Sequence, residues 1–337
     1  MCRRNNQSGF ALILVMWVMV LLITLGTEFA LSMKTEVHTT RNFKEDAEAY
    51  YLARAGIQLA SAEILPDSRF HSWTGEKGFL FGPSGKKGDD QIQPNPRQPA
   101  KPGESEETLE ALEPPERTEI PLSKGLIEYS ISDENGKINI NKATREVLSK
   151  ALAANGMDPG SERDAIVDSI LDWIDPDDRH RANGAESDYY RGLSPSYSAK
   201  NGPMDSLEEL LKVKGMTPEL FYGSEEYDPE EPGGEANAPG LARVFTVQAV
   251  SQFNPNTAER AALEIMYPEN QVDEILEKKE ERGWYNESTS THFKIVATGT
   301  FEYSPTRRTI VALVEKQKKD DKPVLLTRYW NDNYIRR

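Results

Sequence analysis

The pattern of apolar and polar positions changes character several times along this chain, and each change marks an element. From Phe10 to Leu31 almost every position is apolar ("FALILVMWVMVLLITLGTEFAL"), with the first acid of the run at Glu28. At about 1.5 Å per residue this is a helix of roughly 33 Å, sufficient to cross a bilayer. Residues 32–65 then contain no proline, and Val37, Phe43, Ala47, Tyr50, Tyr51, Arg54, Ala55, Ile57 and Leu59 keep an approximate helical period. Pro66 ends it. One helix of about 55 residues is therefore expected, beginning in a membrane and ending inside a folded domain. A plain anchor needs a linker there, not a continuous rod.

Strand patterns follow in "LIEYSIS" (126–132), "RVFTVQAV" (243–250), "HFKIVATGTF" (292–301) and "TRRTIVALVEK" (306–316), the last two forming a hairpin across residues 302–306. The long interval between the first two has helical character. Stretches 83–121 and 225–240, rich in proline, glycine and charge, are expected loops. The expected fold class is α+β: a long N-terminal helix on a small antiparallel sheet, with a helical domain inserted after the first strand.

Composition narrows the function. The 337 residues carry a net charge of −15, which argues against a nucleic-acid surface. The only cysteine is Cys2, so the folded part has no disulfide. A secretory signal has a shorter apolar run followed by a small-residue cleavage site, and this run is too long. Arg3 and Arg4 precede it, which keeps that end cytoplasmic and sends the remainder across the membrane.

The densest chemistry lies in "ERDAIVDSILDWIDPDDRHRANGAESDYY" (162–190). Asp164, Asp168, Asp172 and Asp175 form a stripe along a helix, where like charges one turn apart oppose each other. Asp172 and Asp175 also face the unfavourable end of the helix dipole. Asp177, Asp178, Glu186 and Asp188 follow, so a positive group is needed: Arg179 and Arg181, or a bound cation. The candidate ligands Asp175, Asp177, Asp178, Glu186 and Asp188 offer oxygen only, which suits Ca²⁺ rather than zinc or copper. Asp175, Asp177, Asn183 and Glu186 fit part of an EF-hand spacing, but Arg179 occupies a ligand position and His180 the required glycine. The expectation is a calcium loop of another kind, against the alternative of a solvated acidic loop tied by arginines.

Two segments echo each other, "GKININKATREVLSKAL" and "SQFNPNTAERAALEIM"; Asn141 and Asn256 are expected helix N-caps, with Glu259 completing a capping box. "SLEELLKVKGMTPELF" has the form of half a helix-hairpin-helix, capped by Asp205 with Glu208. In acidic surroundings it reads as a packing unit rather than a DNA clamp. No Ser/His/Asp order, phosphate loop or HExxH motif is present, and no enzyme is expected.

A short basic leader, Gly9 before Phe10, and a membrane helix that continues into a soluble domain together resemble type IV pilin-like precursors. The resemblance implies that a prepilin peptidase cuts between Gly9 and Phe10 and that Phe10 becomes N-methylated. Most such chains carry glutamate five residues after the cut; here that position is Leu14. With "DENGKININ", "LDWIDPDD", "GAESDYY", "SYSAKNGPMDSLEELLKVKGM" and "NPNTA", the chain is similar to the K-subunit family of minor pseudopilins of type II secretion. Stretch 83–121 is the part without a match.

The resemblance implies a division of the chain: leader 1–9; transmembrane half 10–31 and periplasmic half 32–65 of the helix; flexible loop 83–121; pilin-like domain 122–135 with 241–337; inserted helical domain 136–240. It implies an inner-membrane, single-pass protein of a Gram-negative cell with a periplasmic domain that caps the pseudopilus, with calcium in the insertion. The implied partners are the I and J minor pseudopilins, the major pseudopilin, the prepilin peptidase and the inner-membrane secretion platform. Leu14 marks a tip position, since nothing above it requires a carboxylate. A tip minor pilin of a type IV pilus or competence apparatus, or a membrane-anchored enzyme, are the alternatives.

Overall fold

A computed structural model describes residues 8–74, 78–82, 115–229, 234, 236–248, 250, 252–301, 305–320 and 322–334. In chain order its elements begin with helix α1 (Ser8–Ile64), the hairpin β1 (His71–Thr74) and β2 (Gly78–Phe81), and strands β3 (Ile120–Leu122), β4 (Gly125–Asp133) and β5 (Ile138–Asn139). Then come α2 (Arg145–Ala154), α3 (Ser161–Ile174), α4 (Ser187–Arg191), α5 (Pro218–Tyr222), α6 (Leu241–Val244) and β6 (Phe245–Thr246). Helices α7 (Arg260–Met266) and α8 (Glu269–Arg282) and strands β7 (His292–Phe301), β8 (Arg307–Lys319) and β9 (Lys322–Asn331) complete it.

The expected long helix is α1, 57 residues without a break. Its first part is long and apolar enough to cross a membrane, and none of that apolar window is buried against the rest of the chain. From Glu45 onward the helix acquires a buried stripe: Glu45, Ala49, Leu52, Ala53, Ile57, Ala60 and Ile64 recur at spacings of three and four. This stripe lies on a five-stranded antiparallel sheet of order β3-β4-β7-β8-β9. Alternation along β4 turns Ile127, Tyr129 and Ile131 inward, where they meet Ile295 and Ala297 of β7 and Ile310, Ala312 and Val314 of β8. Each large aliphatic chain buried there contributes about 1.5–3 kcal/mol, which anchors the helix to the sheet. Arg308 of β8 adds a two-pronged contact to Asp46 at 2.5 and 2.7 Å.

The α+β expectation holds, and β4, β7 and β8 fall where alternation placed them. Four findings correct the sequence reading. Residues 83–114 of the expected loop lie outside the described residues, but 115–121 are tied down. Arg117 donates to Glu63 at 2.7 Å, its carbonyl accepts from Tyr129 N at 2.9 Å, and the short β3 begins at Ile120. Among its described residues, the stretch 243–250, expected as a strand, contributes only Phe245–Thr246, because Leu241, Val244 and Phe245 turn into a helical core. β9, not expected, extends the sheet beyond β8. The cap before the helix-hairpin-helix half is Ser206 with Glu209, one residue later than expected, and leads into a 3-10 turn, Leu207–Lys212.

Between β4 and β7 the chain builds the helical region. Its core gathers Ile140, Leu148, Leu152, Ile166, Ile170, Trp173, Tyr190, Leu210, Phe221 and Phe245, with Ala261 and Ile265 from α7. Packing thus continues past residue 240, and β5 and β6 pair in parallel inside this region.

Candidate functional site

α3 sends Ile166, Val167, Ile170 and Trp173 into the helical core. The helical repeat places Asp168 and Asp172 one turn apart on the neighbouring face, where they are 2% and 0% exposed. Buried carboxylates need partners, and the segment after Asp175 folds back to supply them. Asp168 pairs with Arg145 of α2 and accepts from Asn183 N at 3.2 Å. Asp172 accepts from the Arg181 backbone N–H at 3.1 Å and from its guanidinium at 2.5 Å. The same guanidinium nitrogen reaches Asp175 at 2.6 Å. The loop approaches so closely that a Cβ on Gly184 would lie 1.8 Å from Asp172 Oδ2. Lys214, from the turn of the helix-hairpin-helix half, donates to the Asn183 and Gly184 carbonyls at 3.2 and 3.1 Å. That turn therefore packs against the acidic loop.

Three of the expected ligands converge: carboxylate oxygens of Asp175, Asp177 and Glu186 lie within 4.8 Å of one another. Glu186, just before α4, is 1% exposed, and neither of its oxygens has a hydrogen-bond partner among the described residues. Burial, and then the carboxylates of Asp172, Asp175, Asp178 and Asp177, push its carboxyl up to about 7. Asp177 is held low by the Arg179 backbone N–H, then by the Arg179 side chain. Asp178 accepts instead from Asn201 Nδ2 at 2.9 Å, and Asp188 from the Tyr189 N–H at 2.8 Å; neither is in the converging group. Asn183 faces Asp168, not the group. An orphaned buried carboxylate beside two more, with oxygen the only donor type, fits a hard cation such as Ca²⁺.

The echoed asparagine segments have a different role from the one expected. Neither Asn141 nor Asn256 caps a helix: Thr144 caps α2 and Glu259 precedes α7 without a side-chain cap bond. Instead Asp133, Asn139 and Asn254 each accept from the backbone N–H two residues on, at 2.8, 2.9 and 3.0 Å, making turns of one kind. Asn141 brackets the backbone of Met204, and Asn256 that of Asn286. An Asn-x-Asn spacing serves turns and caps equally well, and tertiary contacts decided.

The Asp133 and Asn254 turns form a buried seam between sheet and helical region. Asp133, at the end of β4, accepts from Thr257 Oγ1 at 2.6 Å, from Asn254 Nδ2 at 3.3 Å and from Ser290 Oγ. Asn135 Oδ1 accepts from the N–H groups of Thr291 and His292. Burial pushes the Asp133 carboxyl from its ordinary 3.8 up to about 6, outweighing the hydrogen bonds from Ser290, Thr257 and the Asn135 N–H. The folded chain thus holds a proton between those values that the unfolded chain releases. Asp133's contribution to unfolding free energy should therefore fall as pH rises from about 4 to about 6 and level off above. Asp133→Asn should flatten that slope in urea unfolding followed across this range; an unchanged slope would refute the assignment.

Of the other residues singled out, Gly9 lies within α1, and Phe10 and Leu14 are exposed on its apolar half. Residues 1–7 of the leader lie outside the described residues. Arg145 was missed because nothing in the sequence links it to Asp168, 23 positions on.

A long helix with a bare apolar half, seated on an antiparallel sheet, is a pilin-like fold, here enlarged by a helical region that holds an acidic loop. The chain is similar to proteins of one kind. Residues 126–227 match the family model described as type II secretion system (T2SS), protein K. The chain is 26% identical over 238 residues to type II secretion system protein K of Pectobacterium carotovorum subsp. carotovorum, covering 65% of this chain and 61% of that one. The protein K of Aeromonas hydrophila is 25% identical over 225 residues, with 65% and 62% covered. The chain thus spans about three fifths of the length of these curated relatives. Among solved structures, the GspK–GspI–GspJ complex from enterotoxigenic Escherichia coli holds a chain matched with a TM-score of 0.49 and 15% identity, covering 69% of this chain and 89% of that one.

Proposed function

We propose that this chain is a minor pseudopilin of type II secretion that caps the tip of the periplasmic pseudopilus and initiates its assembly for export of folded proteins. The observation that carries the proposal is where the family match falls. It covers β4 and most of the helical region inserted behind it, the bulk that distinguishes this chain from a bare helix on a sheet. Prepilin peptidase cuts between Gly9 and Phe10, leaving α1 as a single span of the inner membrane with the folded domain in the periplasm.

Leu14 supports the tip position. In a helical bundle of such subunits, a glutamate at that position pairs with the free amine of a neighbour inside the membrane, where unpaired charge is costly. A subunit with leucine there has nothing to offer a neighbour above it. The helical region beside the sheet would also obstruct further stacking. Asp175, Asp177 and Glu186 would hold Ca²⁺, which would neutralise the acidic loop and fix it against α3.

The partners are the I and J minor pseudopilins, the major pseudopilin and the inner-membrane platform. Co-expressed in one host and extracted in detergent, the full chain is expected to co-purify with the I and J subunits through gel filtration. Elution as separate species would overturn the tip-complex reading.

A further inference from the structure

We propose that Arg181 is the resident counter-cation of the acidic loop and that a divalent cation enters by exchanging with its guanidinium. The inference rests on the calcium reading and adds the mechanism by which the site is filled and emptied.

Arg181 holds Asp172 in two independent ways. Its backbone N–H reaches both carboxylate oxygens, at 3.1 and 3.2 Å, and its Nη1 reaches Oδ1 at 2.5 Å. The same Nη1 takes up Asp175 Oδ2 at 2.6 Å, and Asp175 belongs to the converging group with Asp177 and Glu186. The guanidinium and a cation on that group would therefore compete for one carboxylate. Two positive centres a few ångströms apart repel strongly.

The chain provides for the exchange. The Arg181 side chain is 37% exposed, so the guanidinium can move into water. The backbone N–H would stay on the fully buried Asp172, so the loop keeps its anchor when the side chain leaves. Glu186, with neither oxygen partnered among the described residues and 1% exposed, is the ligand that Arg181 leaves unsatisfied. Its orphaned carboxylate marks the position that the guanidinium does not fill and a cation does.

The ligand class is an oxygen-seeking divalent cation, and the probe is calcium chloride. Full-length chain in detergent micelles, stripped with chelator, is titrated calorimetrically beside Arg181→Gln, which keeps the backbone N–H. The variant is expected to bind about tenfold more tightly or better, the worth of one charge-assisted hydrogen bond no longer displaced. A second readout needs no folded variant: in wild-type chain with labelled arginine, the Arg181 Nε–H resonance should shift as calcium saturates. Equal affinities would overturn the exchange and leave the calcium reading standing. Tighter binding by the variant with an unmoved Arg181 resonance would reduce the effect to charge alone and also overturn the exchange. Absence of binding heat in both proteins would overturn both readings.

Discussion

Gly9→Ala is expected to leave the precursor uncut. The chain would migrate at precursor size, mass spectrometry would find no N-methylated Phe10, and export through the system would stop. The physical reason reaches beyond a lost cleavage. An uncut chain keeps Arg3 and Arg4 in the sequence ahead of Phe10. Raising the helix into a bundle of neighbours would draw both arginines toward hydrocarbon, at about 2.5–3.5 kcal/mol each on insertion scales. On the proposed function, removal of the leader would take that anchor away and free an amine at Phe10. Cleaved Gly9→Ala chain, or normal export by uncut chain, would contradict the reading.

The second large effect is expected at Gly299. In β7 this residue lies beneath α1, against its backbone. A Cβ there would stand 2.2 Å from Ala49 O, 2.5 Å from Ala53 N and 2.6 Å from Leu52 Cβ. Two of these are backbone atoms in mid-helix and cannot turn aside as a side-chain tip can. Gly56 faces the sheet from the opposite side, its would-be Cβ 2.9 Å from Ala297 Cβ and Ile127 Cγ2. Small residues on both surfaces thus set the separation on which the aliphatic packing depends. Gly299→Leu should cost ~3 kcal/mol or more of unfolding free energy, above the usual range for overpacking because backbone must move. Gly160→Ala, in open space before α3, should cost under about 1 kcal/mol. Equal effects of the two in urea unfolding would refute the close-approach account.

The sequence made the long elements legible because their signals are local. The period of α1 persists from the apolar run to Pro66, and β4 alternates without interruption. β9 was opaque: Pro323 stands near its start, and Leu326, Tyr329 and Trp330 are exposed at the sheet edge, so no alternation marks a buried face. The acidic loop was legible in composition but not in pairing. Asp177 and Glu186 declare themselves as oxygens, whereas the Asp168–Arg145 contact and the Lys214 bonds to loop carbonyls join segments far apart in the chain. The asparagine turns needed the fold to be told from helix caps.

The central claim, that this chain works as the K-type pseudopilin of a secretion machine, is tested most directly by export itself. In the native host, the gene is deleted and the distribution of a folded substrate of the type II system is measured between periplasm and medium. The account predicts that the substrate accumulates in the periplasm and returns to the medium when the wild-type chain is supplied. Undiminished export from the deletion strain would contradict it.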